Sequence, residues 1–170
     1  MKRSSSAFIL LLALSLFLSS CHFFEQEKIF TAGEMSIKLT DFFHEVATQQ
    51  YTSVYTSTNV DIFTTTQPFD GFEEEELTAD STLEEYGALL FEANEREDLE
   101  LQKKEDLTYF VYEAESKSTH VNYTYLSVIY KGTQAFWLIQ FVCETESYPD
   151  LEEKLFQYAS SVTFTAQETE

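Results

Sequence analysis

The chain has 170 residues, of which 30 are Asp or Glu and only 10 are Lys or Arg, so its formal net charge at pH 7 is −20. This charge argues against binding of nucleic acid or of anionic lipid headgroups, because both contacts need Lys and Arg to neutralise phosphates. Aromatic residues are dense, with 16 Phe and 10 Tyr, whereas there are 4 Gly and 2 Pro, which indicates a folded rather than a disordered chain.

The first twenty residues have the pattern of a secretory signal. Lys2 and Arg3 are followed by serines and then by a run from Ala7 to Leu18 in which only Ser15 is polar. As a helix this run would be about 18 Å long, which is well short of the ~30 Å hydrocarbon core of a bilayer. The run therefore predicts a cleaved leader over 1–20 rather than a transmembrane span.

The end of the leader, Leu18-Ser19-Ser20-Cys21, closely resembles the lipobox of bacterial lipoproteins. This resemblance implies cleavage between Ser20 and Cys21, a diacylglyceryl thioether on the Cys21 thiol, and acylation of the new amino group by a fatty acid such as palmitate. Two or three acyl chains would anchor the protein stably at the extracytoplasmic face of the cell membrane. The alternative is an ordinary signal peptide, which would leave Cys21 as a reactive thiol in an oxidising compartment.

Removal of 1–20 leaves 150 residues, which suits one domain with a sizeable core. The leader holds two basic residues and no acidic ones, so the net charge becomes −22, which would attract a basic partner. We expect a lipidated tether over 21–33, a single domain over 34–166 and a tail over 167–170. With Cys21 lipidated, Cys143 has no disulfide partner and is expected to be a small buried hydrophobic residue.

The first half of the domain is predicted to open with strands. Met35, Ile37 and Leu39 alternate with polar residues, and 51–58 and 60–66 have the composition and spacing of a hairpin. After a break at 67–71 and an acidic loop at 72–76, Ser81-Thr82-Leu83-Glu84 matches a capping box with Ser81 as the cap. A helix should follow, with Gly87 allowing a close approach to the sheet, and its apolar residues recur at helical spacing: Leu83, Tyr86, Leu90 and Ala93.

The second half is predicted to be a meander followed by a helix. Strand-like runs cover 99–103, 107–115 and 121–130, and 135–143 is apolar on both faces except at Gln140, which is typical of a central strand covered on both sides. Ser147-Tyr148-Pro149-Asp150 then matches a helix start, and a short strand over 162–164 ends the domain.

This order predicts an α+β fold, an antiparallel sheet sandwiched by helices. Together with the segments "SIKLTDFF", "STLEEYGALL" and "AFWLIQFVCETESYPDLEEKLFQYASSVTF", it resembles the PsbP-like and Mog-like fold over 35–164. The alternative is a cystatin-like or NTF2-like α+β domain, which differs in whether the long helix precedes the main sheet. Fold resemblance of this kind implies no function, because unrelated functions share one fold.

The polar residues show no recognisable catalytic motif. His22, His44 and His120 have no metal-ligand spacing, and the serines match no nucleophile motif. The acidic run 73–76 lacks the converging oxygens of a calcium loop, so we interpret it as a solvated loop. We therefore expect no catalytic residue, no metal and no cofactor.

The aromatic residues provide the candidate binding surface. Tyr109, Tyr123, Tyr125 and Trp137 are candidates to contact a partner or a sugar, and Tyr123 and Tyr125 are preferred because they share one face of a strand beside the central one. The alternative is that these residues pack in the core or beneath a helix.

The expected function is a membrane-anchored, non-catalytic accessory or protein-binding module of the cell envelope. Its expected contacts are the membrane, through the lipid on Cys21, and an unknown, basic envelope protein, with no nucleic acid. The alternatives are a hydrolase that uses carboxylates and a ligand-capture protein for a transporter.

Overall fold

The computed structural model describes residues 25–71 and 77–165. The leader, Cys21 and the predicted tail at 167–170 lie outside these residues, as does the acidic run 73–76. None of the helices in the described ranges is both long and apolar enough to span a membrane. The described residues form, in order, strands β1 (Glu27–Ala32), β2 (Met35–Thr40), β3 (His44–Val46), β4 (Ser53–Thr56) and β5 (Asp61–Pro68), helix α1 (Leu83–Ala93), strands β6 (Gln102–Lys104), β7 (Leu107–Glu115), β8 (Asn122–Lys131) and β9 (Ala135–Glu144), helix α2 (Tyr148–Ser160) and strand β10 (Thr163–Phe164).

Seven of these strands form one antiparallel sheet in the order β3-β4-β5-β9-β8-β7-β6. The β9 strand is in the middle of this sheet, as its two-sided apolar pattern predicts. Phe136 and Trp137 are neighbours on β9 that point to opposite faces, and both are buried. The predicted α+β architecture, with an antiparallel sheet between layers, is thus confirmed.

Three strands form a second sheet in the order β1-β2-β10. This sheet includes residues that were predicted to belong to the tether. The residues predicted as tether, 21–33, include β1, which pairs with β2 from Glu27 opposite Thr40 to Ala32 opposite Met35. The charged residues at the start of β1, Glu27 and Lys28, give the segment the composition of a linker and are exposed, whereas Phe30 is buried. The folded domain therefore begins before residue 34.

Two hydrophobic cores lie on the two faces of the large sheet. The larger core joins the sheet to the small sheet and α2, through residues that include Ile37, Ile139 and Leu155. The smaller core joins the opposite face to α1 through Tyr86, Phe91 and other residues. Cys143 belongs to the larger core, together with Trp137, Ile139 and Phe141, so its predicted burial is confirmed.

The buried carboxylate of Glu34 links the two sheets at one end of the molecule. It accepts hydrogen bonds from the Thr133 N–H at 2.8 Å, from the Thr133 hydroxyl, from the Gln134 N–H at 3.4 Å and from Trp137 Nε1 at 3.0 Å. Burial alone would raise the pKa of Glu34, but these hydrogen bonds outweigh it and lower the pKa below 4.5. A side chain at Gly132 would place its Cβ 2.1 Å from Glu34 Oε1, so it would displace the Glu34 carboxylate.

The two helices begin near the predicted positions, with differences in their caps. In α1 the cap is Thr82 and its reciprocal partner is Glu85, one residue later than the predicted pair. Gly87 contacts the segment before β6 rather than the body of the sheet, because its Cβ would lie 2.5 Å from Leu101 Cδ1. At the start of α2 the Ser147 side chain makes no capping hydrogen bond, and Pro149 occupies the first turn.

Candidate functional site

Strand register places a set of aromatic side chains on the face of the large sheet that also carries α1. Directly paired residues of neighbouring antiparallel strands share a face. Tyr112 of β7 lies opposite Tyr125 of β8, and Gln140 of β9 lies between Ser127 and Phe63.

Helix α1 covers one part of this face. Tyr86 stacks on Phe136 of β9 with ring centroids 4.6 Å apart, and Phe91 meets Phe110 of β7 edge-on at 4.9 Å. Beneath the helix Phe136 and Ile129 are 0% and 1% exposed. This part of the face is core.

The remaining part, which we call the aromatic face, is formed by Tyr51, Phe63, Tyr112, Tyr123 and Tyr125. Four of them are half-buried, and Tyr51 is 37% exposed. The rings of Tyr112 and Tyr125 are parallel, 4.7 Å apart with 6° between their planes, and the rings of Tyr51 and Phe63 are 4.8 Å apart. Four of the five side chains are thus packed in two ring pairs, while part of each remains accessible.

Polar groups hold the aromatic face in place. The Gln140 side-chain amide donates to the Tyr112 hydroxyl at 3.0 Å and to the Ser127 hydroxyl at 3.2 Å. Burial raises the pKa of Tyr112 and the pKa of Tyr125 above the ordinary tyrosine value. Both phenols therefore remain protonated and neutral at physiological pH, and both can donate a hydrogen bond.

Charged residues border the aromatic face at both ends. The Arg96 guanidinium lies 4.8 Å from the centre of the Tyr112 ring and forms an ion pair with Asp98 at 3.0 Å. At the other end Tyr123 pairs with Glu144, and Asp61 lies in the same groove as both residues. The positive charge is thus already paired, whereas the end near Tyr123 is acidic.

A cavity of about 300 Å³ lies between the C-terminal end of α1 and the sheet, next to the aromatic face. Its volume is at the lower end of the range for small-molecule sites. Its lining includes Leu90, Asn94, Arg96, Tyr112, Leu138 and Gln140.

The sequence-predicted candidates fall on both faces of the sheet. Tyr123 and Tyr125 lie together on the aromatic face, outside the core that α1 covers. Trp137 is 2% exposed in the larger core, and the Tyr109 ring packs edge-on against Phe156 of α2 at 5.0 Å. These two residues are therefore structural, and the idea that they form a binding surface is wrong.

Sequence reasoning missed Tyr51, Phe63 and Tyr112 as neighbours of the predicted pair. Tyr112 occurs in a run that was correctly predicted as a strand, but its pairing with Tyr125 depends on the β7–β8 register. The signal that was available is the alternation of aromatic residues along 107–115 and 121–130, read as two strands of one hairpin.

The histidines and acidic residues do not converge in the described part of the chain. His44 is exposed in β3, and the exposed His120 ring lies 2.6 Å from the Glu115 carboxylate. No group of three or more His, Cys, Asp or Glu side chains suited to a metal ion occurs within 25–71 and 77–165. The lipidation and cleavage residues, Ser20 and Cys21, lie outside these ranges.

No protein-family model and no curated protein matches the sequence of this chain. Its structure is similar to that of cyanobacterial PsbP (CyanoP) from Synechocystis sp. PCC 6803, with a TM-score of 0.53 and 9% identity over 86% of this chain and 96% of that one. A structure from Bacteroides thetaiotaomicron VPI-5482 has a TM-score of 0.52 and 12% identity over 84% of this chain and 50% of that one. At these identities the likeness shows the fold alone, an α+β fold similar to that of PsbP.

Proposed function

We propose that this protein is a lipid-anchored, non-catalytic module of the cell envelope that binds another envelope protein through the aromatic face. The observation that carries the proposal is the cluster of partly accessible Tyr and Phe side chains beside α1, of which Tyr112 packs at the edge of the core beneath that helix. Tyrosine is enriched at protein–protein interfaces because it offers apolar area together with a hydroxyl group.

The stacking of the rings favours a protein partner over a sugar. A sugar ring binds flat against an exposed aromatic face. Tyr112 has Tyr125 on one side and Phe110 and the Arg96 guanidinium nearby, so its ring faces are occupied. Tyr112 therefore offers no free ring face to a sugar, whereas the mixture of apolar area and hydroxyl groups on the aromatic face suits contacts with a polypeptide.

The charge of the chain favours a basic partner. The acidic end of the aromatic face, near Asp61 and Glu144, adds a local contribution to the strongly negative net charge. Such a charge would increase the rate of encounter with a positively charged protein. The Leu18-Ser19-Ser20-Cys21 motif supports the envelope location, since it implies export and lipidation.

The test is recovery of the partner after crosslinking in cells of the native host. Replacing both tyrosines, Tyr123→Ser and Tyr125→Ser, removes most of the apolar area at the acidic end of the aromatic face, so the specific partner should no longer be recovered. The matched control is Ile29→Ser, which removes a side chain that is 62% exposed on the small sheet, and this variant should recover the partner normally.

Two further measurements complete this test. The melting temperature of the double variant should fall only modestly, because half-buried residues lose less free energy than the several kcal/mol typical of core residues. Added salt should weaken the association if charge steers the encounter. Normal partner recovery by the double variant, or the absence of any specific partner of the wild-type protein, would contradict the proposal.

A further inference from the structure

We infer that the end of the domain that carries Phe42 contacts the lipid bilayer, with the Phe42 ring entering the interfacial region. This inference rests on the proposed lipid anchor. It adds a second, non-covalent membrane contact and an orientation of the domain. It follows from where Gln26 is bound to the fold and from which side chains surround that point.

Glu25 and Gln26, which directly precede β1, are bound to the fold beside Phe42. The Asp41 N–H donates to the Gln26 carbonyl at 2.8 Å, and the Gln26 N–H donates to the Asp41 carboxylate at 3.3 Å. Glu25 forms an ion pair with Lys154 of α2 at 2.8 Å. Gln26, near the start of the folded domain, is therefore bound to the residue that directly precedes Phe42.

The distance from the anchor is short. Gln26 follows Cys21 by five residues, and five residues span at most ~18 Å even when fully extended. A lipid on Cys21 would therefore keep Asp41 and Phe42 within about this distance of the bilayer surface. At such a separation the effective concentration of the membrane is high, so even a weak contact is populated.

Phe42 is suited to this contact. Its side chain is 55% exposed, whereas the adjacent Phe43 is 4% exposed and belongs to the core. Phe42 borders a groove of about 480 Å³ that is also lined by Leu151, Tyr158 and the β4–β5 loop. Phe side chains can enter the boundary between headgroups and acyl chains, because transfer of their apolar ring out of water is favourable.

The charges near Phe42 determine which membrane it suits. Glu25 and Asp41 are adjacent acids, and the Lys154 ammonium is already paired with Glu25. An anionic surface would repel this end of the domain, whereas a zwitterionic one would not. We therefore assign the contact to a zwitterionic phospholipid surface.

The experiment uses the mature lipidated protein reconstituted in phosphatidylcholine vesicles, with a fluorophore on a single introduced cysteine. Thr58→Cys places the probe in the exposed β4–β5 loop beside Phe42, and Asp70→Cys places the control probe in an exposed 3₁₀ turn (Phe69–Gly71). The Phe69 N–H donates to the Gln134 carbonyl in the β8–β9 turn, and the same turn is hydrogen-bonded to Glu34. Glu34 follows the C-terminal end of β1, whereas Glu25 precedes its N-terminal end, so the control probe lies far from Phe42. Cys143 is buried and Cys21 would be acylated, so neither competes for the label.

Spin-labelled lipids should quench the probe at position 58 and leave the probe at position 70 unquenched. Phe42→Ser should reduce the quenching at position 58 severalfold while the protein still co-sediments with the vesicles. Equal quenching at the two positions, no quenching at position 58, or no effect of Phe42→Ser would overturn the contact while leaving the anchor intact. Failure of the protein to co-sediment would overturn the proposed anchor, and the inference with it.

Discussion

At the scale of single residues, Cys143 provides a direct probe of the larger core. It is 2% exposed, and burial together with the negative charge of Glu144 raises the pKa of its thiol to about 11. Because the thiolate is the reactive species, alkylation of the native protein at pH 8 should be slow and should become fast in denaturant. Rapid alkylation of the native protein would show that the thiol is accessible.

The same residue gives a stability prediction. Cys143→Ser places a hydroxyl group in an apolar environment, and we expect a loss of about 1–3 kcal/mol in the free energy of unfolding if no hydrogen-bond partner is within reach. Cys143→Ala is the control, because it removes the sulfur without adding a polar group. Denaturant titrations of the two variants should show the serine variant to be the less stable one.

The buried Glu34 carboxylate should make stability depend on pH. Its pKa is lowered in the folded state, so its contribution is fully present above the unfolded value near 4.5 and is lost as the pH falls through the folded pKa. Glu34→Gln should therefore lower the free energy of unfolding by about 1–3 kcal/mol at pH 7, because four donor groups lose a charged acceptor. The difference from wild type should shrink below pH 4.5.

The control for this measurement is Glu84→Gln, which removes an exposed carboxylate that forms a surface ion pair with Lys103 at 2.7 Å. This variant should unfold almost as the wild type does at both pH values, because exposed ion pairs contribute little. If Glu34→Gln gave the same deficit at pH 7 and at pH 3.5, the proposed linkage to the carboxylate would be wrong.

Cys143 and Glu34 differ in how far the sequence alone reveals their surroundings in the fold. Cys143 follows Trp137, Ile139 and Phe141 at intervals of two, so one strand pattern predicts its burial. Glu34 reads as an ordinary turn residue, because its partners Thr133 and Trp137 are about 100 positions away. A buried ionised group whose donors come from a distant turn leaves no local signal.

At the scale of elements, substitutions at the start of α1 can test whether Thr82 is the residue that caps this helix. The Thr82 hydroxyl accepts from the Glu85 N–H at 3.2 Å, and the Glu85 carboxylate accepts from the Thr82 N–H at 2.7 Å. Thr82→Ala should therefore cost about 0.5–2 kcal/mol in the free energy of unfolding. Ser81→Ala should cost less, since the Ser81 hydroxyl accepts from the Thr78 N–H in the preceding turn rather than from an N–H of the helix. The reverse order in chemical denaturation would restore Ser81 as the cap.

Elements with a strong internal pattern could be predicted, and those defined by their neighbours could not. The strand β7 has the predicted bounds, and β9 has the predicted central position. The strand β1 was assigned to the tether, and the short edge strand β3 is exposed at all three positions and has no buried face to reveal it. Strands such as β1 and β3 are defined by the strands with which they pair, and their own sequences do not reveal that pairing.

At the scale of the whole molecule, the large sheet has two differently used faces. One face is closed by the small sheet and α2, and the other is closed only in part by α1, which leaves the aromatic face accessible. The sequence predicted the pair Tyr123 and Tyr125, because both lie on one strand. Their neighbours Tyr51, Phe63 and Tyr112 come from three other segments, so only the assembled sheet reveals the surface as a whole.

The last prediction concerns the location of the whole protein. Cys21→Ala should move the protein from the membrane fraction to a soluble or unprocessed form, because the variant has no thiol to accept the lipid. The melting temperature of the domain should hardly change, since the described strands and helices begin at Glu27 and the buried Cys143 is a free thiol rather than a disulfide partner. Cys143→Ala, which keeps Cys21, is the matched control and should remain in the membrane fraction. Fractionation of the wild-type protein after inhibition of lipoprotein processing would check the same step independently. Membrane association of Cys21→Ala equal to that of the wild type would mean that the chain is held there by something other than a lipid on this residue.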